Sequence, residues 1–298
     1  DFKTGSGNSL AIRDISLSFN ELKAFGRKLR DIHIQARPER ETWRVKLSGQ
    51  NVMGEVEYGP RADQPGNRFA GRFSKLAIPN EEPDAVTQGP ADLGELPAEV
   101  DLSAQSFSFR ERDLGELALS FRVEKSGLRI DTLKLANPDS RLDGGGWLSA
   151  SPLRTTELDL KLAAGDLGKL MKRLGYTEAV KGGNLAVKGK ITWLGRPEDF
   201  SLDRLGGKLE VSLKSGRFTQ LDPGAGKLLG ILSLQALPRR ITLDFRDVFS
   251  EGFAFDRISG SIAVAAGVMR TEDLEIRGPS ARVTMTGSAD VVAETQDL

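Results

Sequence analysis

The sequence predicts a mainly β chain: one long antiparallel sheet, curled into an open groove, built from meander repeats with two short helices. Three observations predict it. Apolar and polar residues alternate at period two through most of the chain. Turn-forming residues punctuate these runs at short intervals, and two segments only carry a helical period. A sheet with one apolar and one wet face must cover the apolar one, and two short helices are too few for so many strands. The remaining solution is for the sheet to curl over itself and leave a trough. Gly54, Gly71, Gly189 and Gly260, set within strand patterns, ease that bending.

A loose unit recurs over residues 25–58, 114–148 and 255–291. Each has a strand, a polar turn, a second strand, another turn and a glycine-containing third strand. The first turns are Arg37-Pro38-Glu39-Arg40, Glu124-Lys125-Ser126-Gly127 and Ala265-Ala266-Gly267. The second are Gly49-Gln50-Asn51, Asn137-Pro138-Asp139-Ser140 and Gly278-Pro279-Ser280. Strands joined in this way form a meander. The single histidine, His33, sits between Ile32 and Ile34 in a strand pattern and reads as a surface or edge residue. The Pro-rich stretch 79–97 carries Glu81, Glu82 and Asp84 without any period, so it reads as a linker or exposed loop. It divides a β-meander segment, 1–78, from a larger β-groove segment, 98–298.

Beyond residue 150 the alternation is cleanest. Leu158, Leu160 and Leu162 alternate with charged residues, and Leu185, Val187 and Ile191 keep the same period across Gly189. Leu209, Val211 and Leu213 follow, then Ile241, Leu243 and Phe245, then Ile262 and Val264, Leu274 and Ile276, and Val283 and Met285. These residues are the candidate lining of the groove. Asp166 reads as the N-cap of a first helix with Leu167, Leu170, Met171 and Leu174 on one face and Gly175 at its C-terminal end. A second helix opens at Asp222-Pro223 and carries Leu228, Leu229, Ile231, Leu232 and Leu234.

Composition excludes several classes. Lys+Arg and Asp+Glu both number 42, so the net charge is zero, which argues against nucleic acid as a partner. With no cysteine there is no disulfide, no thiolate metal site and no Cys nucleophile. The longest uncharged apolar run, 228–238, is too short to cross a bilayer as a helix. The chain opens at Asp1 without a signal peptide and reads as a piece of something longer. Catalytic motifs fail on detail. Gly224-Ala225-Gly226-Lys227 lacks the upstream Gly of a phosphate loop, since position 221 is Leu, and Leu228 replaces the Ser or Thr that would bind magnesium. The acids Asp131, Asp139, Asp143, Asp244, Asp247, Glu251 and Asp256 sit in turns or on wet faces. Phe245, Phe249 and Phe253 around Asp247 fit either a pocket lining or a core, the core being the preferred reading. No enzyme, cofactor or metal is expected.

Several segments carry a family resemblance. They are residues 107–115, from Phe107-Ser108-Phe109-Arg110 to Gly115; 165–176, opening Gly165-Asp166-Leu167-Gly168; and 226–235, opening Gly226-Lys227-Leu228-Leu229. Leu237-Pro238-Arg239-Arg240, residues 249–256 from Phe249-Ser250-Glu251-Gly252 to Asp256, and Ala293-Glu294-Thr295-Gln296-Asp297-Leu298 complete the set. On these, residues 96–298 resemble the C-terminal part of the YhdP branch of AsmA-like proteins. Residues 1–95 share the texture without a diagnostic segment. The resemblance implies a protein of Gram-negative bacteria anchored in the inner membrane and reaching across the periplasm. It implies phospholipid transport toward the outer membrane, with an architecture similar to TamB and to eukaryotic bridge-like lipid transfer proteins. Contact with the inner and outer membranes is then expected through regions outside this chain. The alternative reading is a scaffold for outer-membrane biogenesis that offers strand edges to an outer-membrane or periplasmic protein partner.

Overall fold

The computed structural model describes residues 14–24, 27–79, 96–150, 154–176, 180–195, 197–219, 254–279, 282–290 and 295–297. These residues form one sheet whose strands pair in chain order, so it is an open meander in which the first and last strands are not hydrogen-bonded neighbours. The strands are β1 (Ile15–Ala24), β2 (Arg27–Glu39), β3 (Thr42–Ser48), β4 (Val52–Pro60), β5 (Asn67–Ile78), β6 (Glu99–Phe109), β7 (Arg112–Glu124) and β8 (Gly127–Ala136). They continue as β9 (Ser140–Ser149), β10 (Thr155–Ala164), β11 (Val180–Leu194), β12 (Gly206–Phe218), β13 (Ala254–Ala265), β14 (Val268–Arg277), β15 (Arg282–Asp290) and the short β16 (Thr295–Asp297). The three sequence repeats fall on β2–β4, β7–β9 and β13–β15.

Local chemistry sets the turns. Ala266 and Gly267 both take positive φ, 49° and 81°, as the two-residue turn between β13 and β14 requires. Asn137 Oδ1 accepts hydrogen bonds from the Asp139 and Ser140 amides at 3.0 and 2.9 Å, which closes the β8–β9 connection with a side chain.

One pairing departs from the expected antiparallel pattern. β5 and β6 run parallel, with Phe69 opposite Val100 and Phe73 opposite Ala104. Parallel pairing needs a connection of about a dozen residues or more to bring the chain back to the starting edge. The stretch between Ile78 and Glu99 supplies it. The segments on either side of the Pro-rich stretch therefore share one sheet.

Helix α1 (Leu167–Arg173) lies between β10 and β11 and packs on β11, with its far end reaching β7. Asp166 Oδ1 accepts from the Lys169 amide at 3.1 Å. At the other end the Tyr176 amide bonds to the Met171 carbonyl and the Gly175 amide to that of Lys172, both at 2.9 Å, with Gly175 at φ 74°. That is the αL-terminated stop expected for glycine after a helix. Leu170 and Met171 are buried, and Leu167 and Leu174 pack against the same cluster. Arg173 ties α1 to the sheet, donating to Asp139 and to Asp113. The expected second helix, 222–234, lies outside the described residues.

The buried apolar residues fall into clusters that follow the sheet, one over β2–β7 and another over β10–β15 with α1. A flat single layer would leave this face wet. Burial of Ile32, Leu274 and Ile276 to 1–2% exposure requires the face to be concave, so that side chains of neighbouring strands lean over one another.

Candidate functional site

Residues directly opposite each other in a ladder share a face, so the register traces what crosses the sheet. One row runs Leu17, Ile34, Leu47, Gly54, Phe73, Ala104, Leu117, Leu135, Leu142, Leu162, Val187, Val211 and Gly260, one residue per strand from β1 to β13. Two residues along each strand a second row runs from Ile15 and Ala36 through Val56, Gly71, Leu102, Leu133, Leu160 and Gly189 to Leu209 and Ile262. A third runs from Trp43 through Tyr58, Phe69, Val100, Phe121, Ile130, Leu158, Ile191 and Gly207 to Val264 and Met269. No residue of these rows carries a charge. With strands about 4.8 Å apart, the corridor is roughly 58 Å long from β1 to β13.

The sequence-derived lining residues sit on this face. Leu158, Leu160, Leu162, Val187, Ile191, Leu209, Val211 and Ile262 are half-buried on the three rows, where Val264 is buried. Leu185, Leu213 and Ile276 are buried and lie with half-buried Val283 on a flanking row that passes through Ile258. Leu274 and Met285 are buried and oppose each other. Ile241, Leu243 and Phe245 lie outside the described residues, and β12 pairs directly with β13. The sequence reading stopped short at the other end. The rows continue through β1–β8, where Leu47, Phe73, Leu102, Leu117 and Leu135 were not singled out. Their signal was the same alternation, plain in Val100, Leu102 and Ala104 and in Leu117, Leu119 and Phe121.

Two inward positions, Gly189 and Gly207, let β11 and β12 approach closely. Their φ values are 152° and 140°, and a Cβ at either would lie 2.1–2.2 Å from a carbonyl oxygen of the adjacent strand. A side chain on these inward positions would push the strands apart.

The opposite face is wet and charged. Lys188 pairs with Glu210 at 2.8 Å, Lys46 with Glu55 at 3.3 Å, and Arg122 grips Asp131 through two nitrogens at 2.7 and 2.8 Å. The hydrogen bond from Arg122, joined by its charge, holds the Asp131 carboxyl below its ordinary value. His33 lies on this face with Nδ1 2.8 Å from Ser18 Oγ. Among the described residues, no group of three or more His, Asp or Glu could hold a metal ion, and no helix is long and apolar enough to cross a membrane.

A family model described as "YhdP protein" matches residues 2–298, the first 95 included. The chain belongs to the YhdP family. One curated relative is the "Intermembrane phospholipid transporter YhdP" of Escherichia coli (strain K12), 33% identical over 169 residues. That alignment covers 54% of this chain and 13% of the relative, so the YhdP sequence here spans a small part of the curated protein's length. No solved structure matches the chain.

Proposed function

We propose that this chain shelters phospholipid acyl chains in the periplasm, as one stretch of a path between the inner and outer membranes, without chemistry of its own. The observation that carries the reading is the apolar corridor that two rows trace from β1 and a third from β3, free of charge on all three as far as β13. Three rows two residues apart span roughly 14 Å along the strands, which is room for acyl chains lying along the corridor. Withdrawing a CH₂ from water is worth about 0.8 kcal/mol. An acyl chain of some sixteen carbons therefore gains on the order of 10 kcal/mol from an apolar floor, with no specific side chain needed. Successive positions offer nearly the same surface, so lipid can slide, while head groups stay at the open side in water. The named activity of the E. coli relative agrees with this role. The lining proposed is the sequence-derived set together with its continuation through β1–β8.

The test is native mass spectrometry of the chain purified from bacterial cells, with lipid extraction in parallel. Phospholipid should be released in amounts that follow the protein. A chain that stays lipid-free, and that takes up none when mixed with phospholipid, would sink the reading.

A further inference from the structure

The outer face carries an arrangement that the corridor does not use. Lys214, Arg257, Arg277 and Arg282 oppose one another directly on β12, β13, β14 and β15. One row nearer the strand ends, Lys181 opposes Arg217. All six are exposed. Like charges directly opposite on neighbouring strands destabilise a sheet; other like-charged pairs on the outer face have an acid next to them in the same row, as Asp143 and Glu210 stand on either side of Lys161 and Lys188. Here the ion pairs found among the described residues converge on Glu275, which serves both Arg277 and Arg282. A cation ladder kept at a cost to the sheet implies an anionic occupant.

Its place in the fold says which kind. Each cation neighbours an inward apolar residue: Leu213 beside Lys214, Ile258 beside Arg257, Ile276 beside Arg277 and Val283 beside Arg282. Those four form the row flanking the corridor. The ends of β12–β15 are thus a lip, cationic outside and apolar inside. An array of exposed cations without interleaved aromatics suits a charged surface more than a nucleic acid strand.

We propose that this lip docks on the surface of an anionic phospholipid bilayer, its cations against lipid phosphates. The docking does not rest on the lipid-sheltering reading. The experiment is co-sedimentation of the chain with vesicles of phosphatidylethanolamine and phosphatidylglycerol, and with vesicles of phosphatidylcholine alone. The chain should bind the anionic vesicles, and salt should release it. The double variant Lys214→Glu/Arg257→Glu should lose about tenfold or more in affinity, since each surface cation near an anionic bilayer contributes to binding. Lys161→Glu/Lys188→Glu, an equal charge change on the same face away from the lip, should bind as the parent does. Melting curves check that the variants fold, and Lys214→Gln/Arg257→Gln stands in if charge reversal unfolds the chain. Equal binding by lip variant and parent, equal binding to phosphatidylcholine, or no vesicle binding by the parent overturns the proposal; the last outcome points to an acidic protein surface instead. Co-purified lipid, measured on the same preparations, fails or survives separately and reports on the corridor alone.

Discussion

At the single-residue scale, the sheet spends polar side chains where its ladders break. The pairing of β13 with β14 shifts register between Ser259 and Ala263, and there Asp273 Oδ1 accepts from the Ser261 amide at 2.7 Å and the Ser261 hydroxyl at 2.8 Å. These bonds, the backbone one foremost, hold the Asp273 carboxyl below its ordinary value. Asp273→Ala should cost about 1 kcal/mol by urea unfolding, and Asp273→Asn, which keeps an acceptor, should cost less. Glu275 is lowered in the same way by the hydrogen bond from Arg277 and by Arg282, and Asp131 by Arg122. A carboxyl lowered on folding contributes its stability in full above its unfolded value of about 4 and loses it as pH falls through the lower folded value. The chain should therefore hold a level unfolding midpoint from neutral pH down to about 5 and lose stability below about 4. Asp273→Asn should flatten part of that acid limb; an unchanged limb would remove Asp273 from the account.

The elements differ in how much of them could be read from the sequence. α1 was legible to its ends because its caps are local: Asp166 and Gly175 act within a turn of the residues they terminate. The three repeats were legible because their turns are local too. The parallel β5–β6 pairing was not, since it depends on where a connection of many residues delivers the chain, and no side chain near Ile78 or Glu99 encodes that. The cation ladder was hidden for a related reason: Lys214 and Arg257 are neighbours only through register. Two substitutions test the elements. Leu170→Asp sets an unpaired carboxylate into the cluster joining α1 to β11–β14 and should lower stability by several kcal/mol. Barely changed melting would mean that α1 does not cover the sheet. Gly189→Val adds a β-branched side chain 2.1 Å from the Lys208 carbonyl oxygen at φ 152° and should cost about 3 kcal/mol or more. A loss below 1 kcal/mol, by the same urea assay, would show that the close approach of β11 and β12 yields freely.

Over the whole molecule, the corridor's direction follows from the ladders: it runs across the strands, so every strand contributes a short stretch of floor and none is dispensable to continuity. Period-two alternation made the face legible strand by strand, and the register then joined Leu162, Val187 and Val211 into one row. Lipid sliding along such a floor must pass each strand in turn, so one barrier limits the whole path. Val211 is half-buried on the first row, between Val187 and Gly260, while Ser212 faces the other side, opposite Ala186 and Ser259. An ionised carboxylate among acyl chains costs several kcal/mol even after water penetrates, whereas on the wet face it meets solvent. Val211→Asp in the full-length protein should therefore weaken the outer-membrane permeability barrier in cells, and Ser212→Asp should leave it near normal. Detergent and antibiotic sensitivity reads the barrier, and immunoblotting with limited proteolysis confirms that both variants are folded and present at parental levels. Equal sensitivity from the two would refute passage along the corridor, because substitutions one residue apart differ here only in the face they charge.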